Sequence, residues 1–263
     1  MTATATARIA AISVRNLTMG YGERVLLENA SFDVHRGEIL VVLGGSGSGK
    51  SSLMKNMIGL YRPQAGQVLI DGQNLVTARG DMRALLQRNL GVMYQSGALF
   101  GSLTTLENVR FPLDEFTDIA LPQKNLTARM LLRQVEMEHA EGLMPAQLSG
   151  GMLKRAGIAR AMALGADILM LDEPSAGLDP ITAANLDRTI LSLRANLGFT
   201  FVVVTHELAS IFTIADRAIM LDPRSRSIIA EGRPAELREH STDPRVRQFF
   251  NREPDSITPK VET

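Results

Sequence analysis

The sequence contains no cysteine among its 263 residues. That excludes disulfides and thiolate metal sites, and it fits a reducing compartment. There is no excess charge of either sign: 28 Lys plus Arg face 28 Asp plus Glu. Sequence-independent nucleic-acid binding needs a basic face, so the balance argues against a nucleic-acid partner while leaving a local basic patch open. Long hydrophobic runs are missing too. "EILVVLGG", "ADILMLDE" and "TFVVVTHE" all fall short of the roughly 20 apolar residues a spanning helix needs. The start, "MTATATARIA", has no positive segment leading into an apolar core, so it does not read as a secretory signal. Internal repeats and low-complexity segments are also absent. The expectation is a chain soluble by itself, with any membrane role supplied through a partner.

What is present is an ordinary globular composition, 45% hydrophobic, in a length that suits one large domain or two small ones. "ISVRNLTMGYGERVLLENASFDVHRGEILVVLGG" alternates as strands do and is broken at "GYGE" and "HRGE". It predicts an antiparallel region leading into one buried strand, Ile39 to Leu43. "KSSLMKNMIGL" has helical spacing and stops near Gly59, and "GQVLIDG" and "NLGVMYQ" read as short strands. From about Ser96 to Leu148 strand signals fade. There Leu126, Met130, Leu131 and Val135 recur at helical spacing, which predicts a helical insertion. "ILMLDE" and "FVVVTH" are continuous apolar runs, as parallel strands buried on both faces should be, and each precedes a helical segment. "AIMLD" and "SIIAEG" are expected to close the sheet. Strands alternating with helices imply an α/β core with a mostly parallel sheet. The polar tail carries "PRVRQFF", with Val246, Phe249 and Phe250 on one helical face. Two phenylalanines there want either a partner surface or the chain's own core.

Three groups of residues carry chemistry. "GGSGSGKS" fits G-x-x-x-x-G-K-[ST] at Gly44, Gly49, Lys50 and Ser51. Glycines let backbone N–H groups turn inward around phosphate oxygens, Lys50 supplies a mobile charge for the β- and γ-phosphates, and the Ser51 hydroxyl can ligate Mg²⁺. The loop Gly44, Gly45, Ser46, Gly47, Ser48, Gly49, Lys50, Ser51 and Ser52 stands between an apolar strand and a helix, as a phosphate loop should. "ILMLDEP" sets Asp172 and Glu173 at a buried strand's end, where open α/β sheets bind ligands. Asp172 suits Mg²⁺, and Glu173 suits a general base for the attacking water. His206 ends another apolar run on the same expected rim, within reach of a γ-phosphate.

In this order the motifs resemble the ATP-binding cassette (ABC) ATPase family, from about Ile12 to Gly232. The resemblance implies an ABC nucleotide-binding fold, with a RecA-like mostly parallel sheet, an N-terminal antiparallel subdomain and a helical subdomain over about 96–160. Residues 233–263 are then a C-terminal extension. It implies that Tyr21 stacks on adenine and that Gln95 reaches the metal and the lytic water. "LSGGM" resembles the family's Leu-Ser-Gly-Gly-Gln motif, with Met152 where Gln is usual, and Asp179 in "SAGLDP" resembles the aspartate after the catalytic glutamate. In the family two copies sandwich ATP. Ser149, Gly150, Gly151 and Asp179 would then contact the nucleotide held by the partner copy's phosphate loop. The Met152 departure removes a side-chain amide and leaves Ser149 and both glycines.

The class of ABC protein follows from what lies between the motifs. Only about a hundred residues separate Lys50 from Ser149, with no heptads and no cysteine. DNA-maintenance members usually insert coiled coils or zinc modules there, and ribosome-associated members usually carry two cassettes. A transporter ATPase with a separate permease dimer, at the cytoplasmic face of the inner membrane, is therefore expected. After Gln95, the apolar Ala98, Leu99 and Phe100 suit either a groove for a permease helix or simple core packing. "QSGALF", "FPL", "LMPAQLSGGM", "SAGLDP" and the tail "GRPAEL…PRVRQFFN" together resemble the Mce/Mla-type lipid-transport ATPases. That resemblance implies a periplasmic Mce-type lipid-binding protein as partner and in some systems a small STAS-domain subunit. Import of small polar solutes such as amino acids is the alternative substrate class, and a non-transport ABC ATPase ranks behind it.

Overall fold

The structure, a computed structural model, describes residues 9–253. Most of "MTATATARIA" and the last stretch of the tail, 254–263, lie outside the described residues. The N-terminal alternation becomes two long antiparallel strands, β1 (Ala10–Tyr21) and β2 (Arg24–His35), joined at Gly22. Then comes β3 (Ile39–Gly44), wholly buried, and the phosphate loop delivers the chain into α1 (Lys50–Met57). β4 (Ala65–Ile70) returns to pair with β1, and the short β5 (Gln73–Asn74) completes a four-stranded antiparallel sheet of order β2-β1-β4-β5. α2 (Gly80–Arg88), a helix not expected from the sequence, leads into β6 (Leu90–Met93).

The helical insertion follows as α3 (Thr105–Phe116), α4 (Leu121–Gln134) and α5 (Gly150–Ala161). Thr104 and Glu107 close a capping box at the start of α3, which satisfies two otherwise orphaned N–H groups. α4 carries the helical spacing expected of Leu126, Met130, Leu131 and Val135, but not all of these face inward. Leu126 and Met130 are exposed, while Lys124, Ala128 and Leu132 are buried, with Val135 following. Leu126 and Met130 stand four apart, and so do Ala128 and Leu132. Both stripes keep the helical period, and only the packing of α3 and α5 selects between them.

The remainder alternates strand and helix: β7 (Ile168–Asp172), α6 (Pro180–Leu197), β8 (Thr200–Val204), α7 (Leu208–Ile214), β9 (Arg217–Asp222) and β10 (Ser227–Gly232). These strands join β3 and β6 in a six-stranded sheet of order β10-β9-β3-β8-β7-β6, parallel except for β10. Alternation sorts the core. Val41, Leu171 and Val203 face the helices, whereas Val42, Met170 and Val204 face the antiparallel sheet. Each fully buried aliphatic contributes roughly 1.5–3 kcal/mol over exposure, so strands apolar on both faces are the natural choice here.

The tail forms α8 (Pro234–His240) and α9 (Pro244–Asn251). Of the two fates open to its apolar face, the structure takes the chain's own core. Val246 and Phe250 are buried, and Phe250 packs 5.7 Å from the Phe212 ring. Among the described residues no helix is long and apolar enough to cross a membrane.

Candidate functional site

Parallel strands β3, β6, β7 and β8 end on one rim, and the candidate residues leave from their carboxyl ends, where α/β sheets bind ligands. The loop from Gly44 turns through left-handed glycines at Gly47 and Gly49 before α1 begins at Lys50. Gly44 cannot be replaced freely: its φ is 145°, and a Cβ there would stand 2.5 Å from the Leu221 carbonyl oxygen. Lys50 Nζ donates to the carbonyls of Gly44 and Gly45 at 2.8 and 3.1 Å. Burial pushes its pKa down, against the pull of Glu173 and Asp172.

Behind the loop, Ser51 Oγ donates to Asp172 Oδ1 at 3.1 Å. Burial raises the Asp172 pKa, the Ser51 hydrogen bond opposes that, and the Glu173 charge adds to it. Glu173 follows in a left-handed backbone conformation, φ 48°. A non-glycine residue held there costs about 1–3 kcal/mol, and its N–H is fixed to the Val204 carbonyl at 2.7 Å. Glu173 Oε1 meets His206 Nδ1 at 2.8 Å, while Glu173 Oε2 is buried with no hydrogen-bond partner. A buried carboxylate oxygen left without a donor is costly, so this atom is poised to accept one from a water at the rim. Tyr21 stands over α1. Its hydroxyl meets Ser52 Oγ at 2.9 Å, its ring meets the Tyr61 ring edge-on at 5.8 Å, and it lines a 320 Å³ cleft with Gly47, Gly49, Lys50, Ser51 and Ser52. The remaining loop members, Gly45 and Ser46, are exposed, whereas Ser48 is buried.

The donor set suits Mg²⁺. The Ser51 hydroxyl and the Asp172 carboxylate, already in contact, are hard oxygen ligands, and Mg²⁺ usually takes only one or two carboxylates with phosphate oxygens and water. Among the described residues no group of three or more His, Cys, Asp or Glu could hold a metal unaided.

Gln95 leaves the end of β6 with an exposed side chain, and its backbone carbonyl accepts from Lys154 Nζ. Beyond it, Ala98 and Phe100 are exposed and Leu99 packs on the core. The second glycine turn lies elsewhere. Ser149 caps α5 by accepting from the Met152 N–H at 3.3 Å. Gly151 presses on α6, where a Cβ would fall 2.4 Å from Thr182 Cγ2, and Asp179 caps α6 through the Ile181 and Thr182 N–H groups. Among the described residues no hydrogen bond or ion pair joins Ser149, Gly150, Gly151 or Asp179 to the phosphate loop of the same chain. Sequence reasoning missed Lys154 and Arg160, which reach the backbone beyond β6 from α5. A basic residue on a helix gives no sign in sequence of pointing inward.

A phosphate loop, a hydroxyl–carboxylate pair and a carboxylate–histidine pair on one strand rim define a P-loop nucleoside triphosphatase. The chain belongs to the ABC transporter family, whose model matches residues 27–176, and it is an ATP-binding, ATP-hydrolysing transporter subunit. Over 248 residues it is 38% identical to the intermembrane phospholipid transport system ATP-binding protein MlaF of Escherichia coli, covering 94% of this chain and 91% of that protein. It is also 37% identical to mkl of Mycobacterium leprae, described as a probable ribonucleotide transport ATP-binding protein, over 92% of this chain and 69% of that one. Among solved structures it resembles the dimeric post-hydrolysis state of the ATP-binding cassette MJ0796 bound to ADP and Pi. The TM-score is 0.75 at 30% identity, covering 84% of this chain and 98% of that one.

Proposed function

We propose that this chain drives phospholipid movement between membranes as the ATPase of a transporter with a separate permease. The observation that carries the reading is the 38% identity to MlaF across 94% of the chain. A lipid exposes apolar surface at roughly 0.8 kcal/mol per CH₂ in water, so transfer between membranes needs a shielded route and a source of work. The work comes from two copies closing on ATP and reopening after hydrolysis. The dimer of the MJ0796 cassette supports that arrangement. So does the exposed Ser149 turn, which has no bond to its own phosphate loop.

In this reading the ATPase domain spans 12–232, with its helical subdomain over about 96–160, and 233–263 is an extension. The chain sits peripherally at the cytoplasmic face of the inner membrane, held by the permease. A periplasmic Mce-type protein and a small STAS-domain subunit are its further partners.

At the site, the phosphate-loop N–H groups and Lys50 hold the phosphates, and Tyr21 offers its exposed ring to the base. Ser51 and Asp172 would hold Mg²⁺, which would neutralise phosphate charge, and Gln95 would reach the metal and the attacking water. Glu173 Oε2, buried and without a donor, takes the proton of the attacking water, while His206 fixes the other oxygen at 2.8 Å. From the partner copy, the α5 N-terminus with Ser149, Gly150 and Gly151 faces the γ-phosphate, and Asp179 shapes the adjoining surface.

The mkl relative favours a second reading, transport of a polar solute. The complex purified with its permease separates them. Phospholipid, alone or with an Mce-type protein, stimulates ATP hydrolysis and is transferred over many turnovers in the first reading. Stimulation by a ribonucleotide or amino acid with its binding protein, and not by phospholipid, establishes the second.

A further inference from the structure

Lys154 lies on α5 with 6% of its surface exposed. Burying an ammonium is costly unless its donors are used. Among the described residues no carboxylate stands at ion-pair distance from Nζ. Its partners are main-chain carbonyls instead: that of Gln95, just past β6, and that of Glu173 at 3.4 Å, just past β7. A helix that merely needed packing would place a leucine or methionine there.

The same helix holds the segment beyond Gln95. Arg160 donates to the carbonyls of Gly97 and Ala98 at 3.0 and 2.6 Å, and its guanidinium lies 6.0 Å from the Phe100 ring. Buried Asn108 then binds the backbone of Phe100, Leu103 and Thr104. The stretch after β6 is therefore tied to α5, whose N-terminus is the Ser149 turn. Glu173 is held on both sides of its left-handed backbone, through its N–H by Val204 and through its carbonyl by Lys154.

We propose that Lys154 is a positioning residue for hydrolysis. Its buried ammonium sets the backbones of Gln95 and Glu173 against each other and ties both to the helix that begins at Ser149. The inference rests on the roles given above to Gln95 and Glu173.

The test uses the full chain in its permease complex. Lys154→Met keeps length and apolar bulk but deletes the donors. It should leave ATP affinity unchanged and lower kcat roughly 10- to 100-fold, the scale of a small misplacement of reacting groups. Amide hydrogen exchange should quicken at 95–98 and 173–175. Lys154→Arg, which keeps charge and donors, should recover most of the turnover. If Lys154→Met does not fold, Lys154→Gln retains one neutral donor pair and should give an intermediate kcat. Unchanged kcat per folded molecule in Lys154→Met, or in Lys154→Gln where that is the folded variant, overturns the proposal. A loss confined to ATP affinity does the same. Glu173→Gln runs alongside: if it keeps full turnover, the site reading itself falls and the Lys154 inference falls with it. If it is inactive while Lys154→Met is fully active, only the inference falls.

Discussion

The phosphate loop and the Ser149 turn both place glycines ahead of a helix, yet the glycines serve different physical ends. In the phosphate loop Gly44, Gly47 and Gly49 have positive φ, curling N–H groups around one point. At the Ser149 turn neither Gly150 nor Gly151 has positive φ. There the missing side chains make room: a Cβ at Gly150 would lie 3.1 Å from Leu178, and one at Gly151 would overlap Thr182. The first region is a concave cradle with Lys50 inside it and buried Asp172 behind it. The second is a helix end exposed at Ser149 and Gly150, with no charged side chain from Ser149 to Met152. A cradle and an open helix end are complementary shapes, which is the basis for the proposal that they are two halves of one site completed by a second chain.

The largest expected effect belongs to the cradle. Glu173→Gln should bind ATP and lose roughly 10²- to 10⁴-fold in kcat, the usual cost of a general base. Near-normal turnover in the assembled complex would remove Glu173 from the role. Lys50→Ala should act on binding instead. A charge-assisted hydrogen bond contributes about 1.5–3 kcal/mol, so nucleotide affinity should fall by an order of magnitude or more in equilibrium binding. Ser149→Arg tests the other half. Its monomer should bind ATP like the parent, since no bond joins Ser149 to its own phosphate loop, while its dimer should not turn over. Mixed with Lys50→Ala chains, it leaves one site with both faults and one with neither, and part of the ATPase activity should return. Failure of the Ser149→Arg monomer to bind ATP would break the comparison between the two regions.

Smaller effects sharpen the contrast between the glycines. Gly151→Ala drives a methyl group to 2.4 Å from Thr182 Cγ2, and overpacking of this kind costs about 1–3 kcal/mol. The obstacle is a side chain, so Thr182→Ala should restore most of the loss, read as non-additivity in denaturant unfolding. Gly44→Ala meets the Leu221 carbonyl and a backbone angle foreign to alanine. No side-chain deletion should rescue it. Additive losses for Gly151→Ala and Thr182→Ala would show that the turn is held by something other than this contact.

Much of this site was legible in the sequence because its signals are local. The phosphate loop, Asp172 with Glu173, and His206 each end an apolar run, and a parallel sheet gathers such ends on one rim. What stayed hidden depends on which face a helix turns inward. α4 carries two stripes of the same period, and packing buries Ala128 and Leu132 rather than Leu126 and Met130. Lys154 and Arg160 look like solvated positions in a helix, and only the approach of the Gln95 segment makes their inward reach worthwhile. α2 escaped notice because Leu86 is its single buried side chain, too little for a periodic signal. The fate of Val246 and Phe250 was undecidable from the tail alone, since Phe212, which receives Phe250, lies on a separate helix.

The smallest expected effect concerns the ground state of the cradle. Burial raises the Asp172 pKa above the ordinary carboxylate value. A raised folded-state pKa means the folded chain holds the Asp172 proton to higher pH than the unfolded chain does. The stability this confers is present below the unfolded pKa and is lost as pH rises through the folded one. At neutral pH, without nucleotide, the charged Asp172 is thus a net burden on the fold. Asp172→Asn removes the charge while retaining an oxygen for the Ser51 hydroxyl, which now donates to Asp172 Oδ1. The variant should therefore melt slightly higher than the parent at neutral pH, and the gap should narrow as pH falls into the carboxylate range. Stabilisation by ATP with Mg²⁺ should run the other way, strong in the parent and weak in the variant, because the metal rewards the same charge the apo fold resists. A variant that melts lower than the parent at neutral pH would show that the Ser51 and Lys50 contacts outweigh burial, and that the cradle is strain-free before nucleotide arrives.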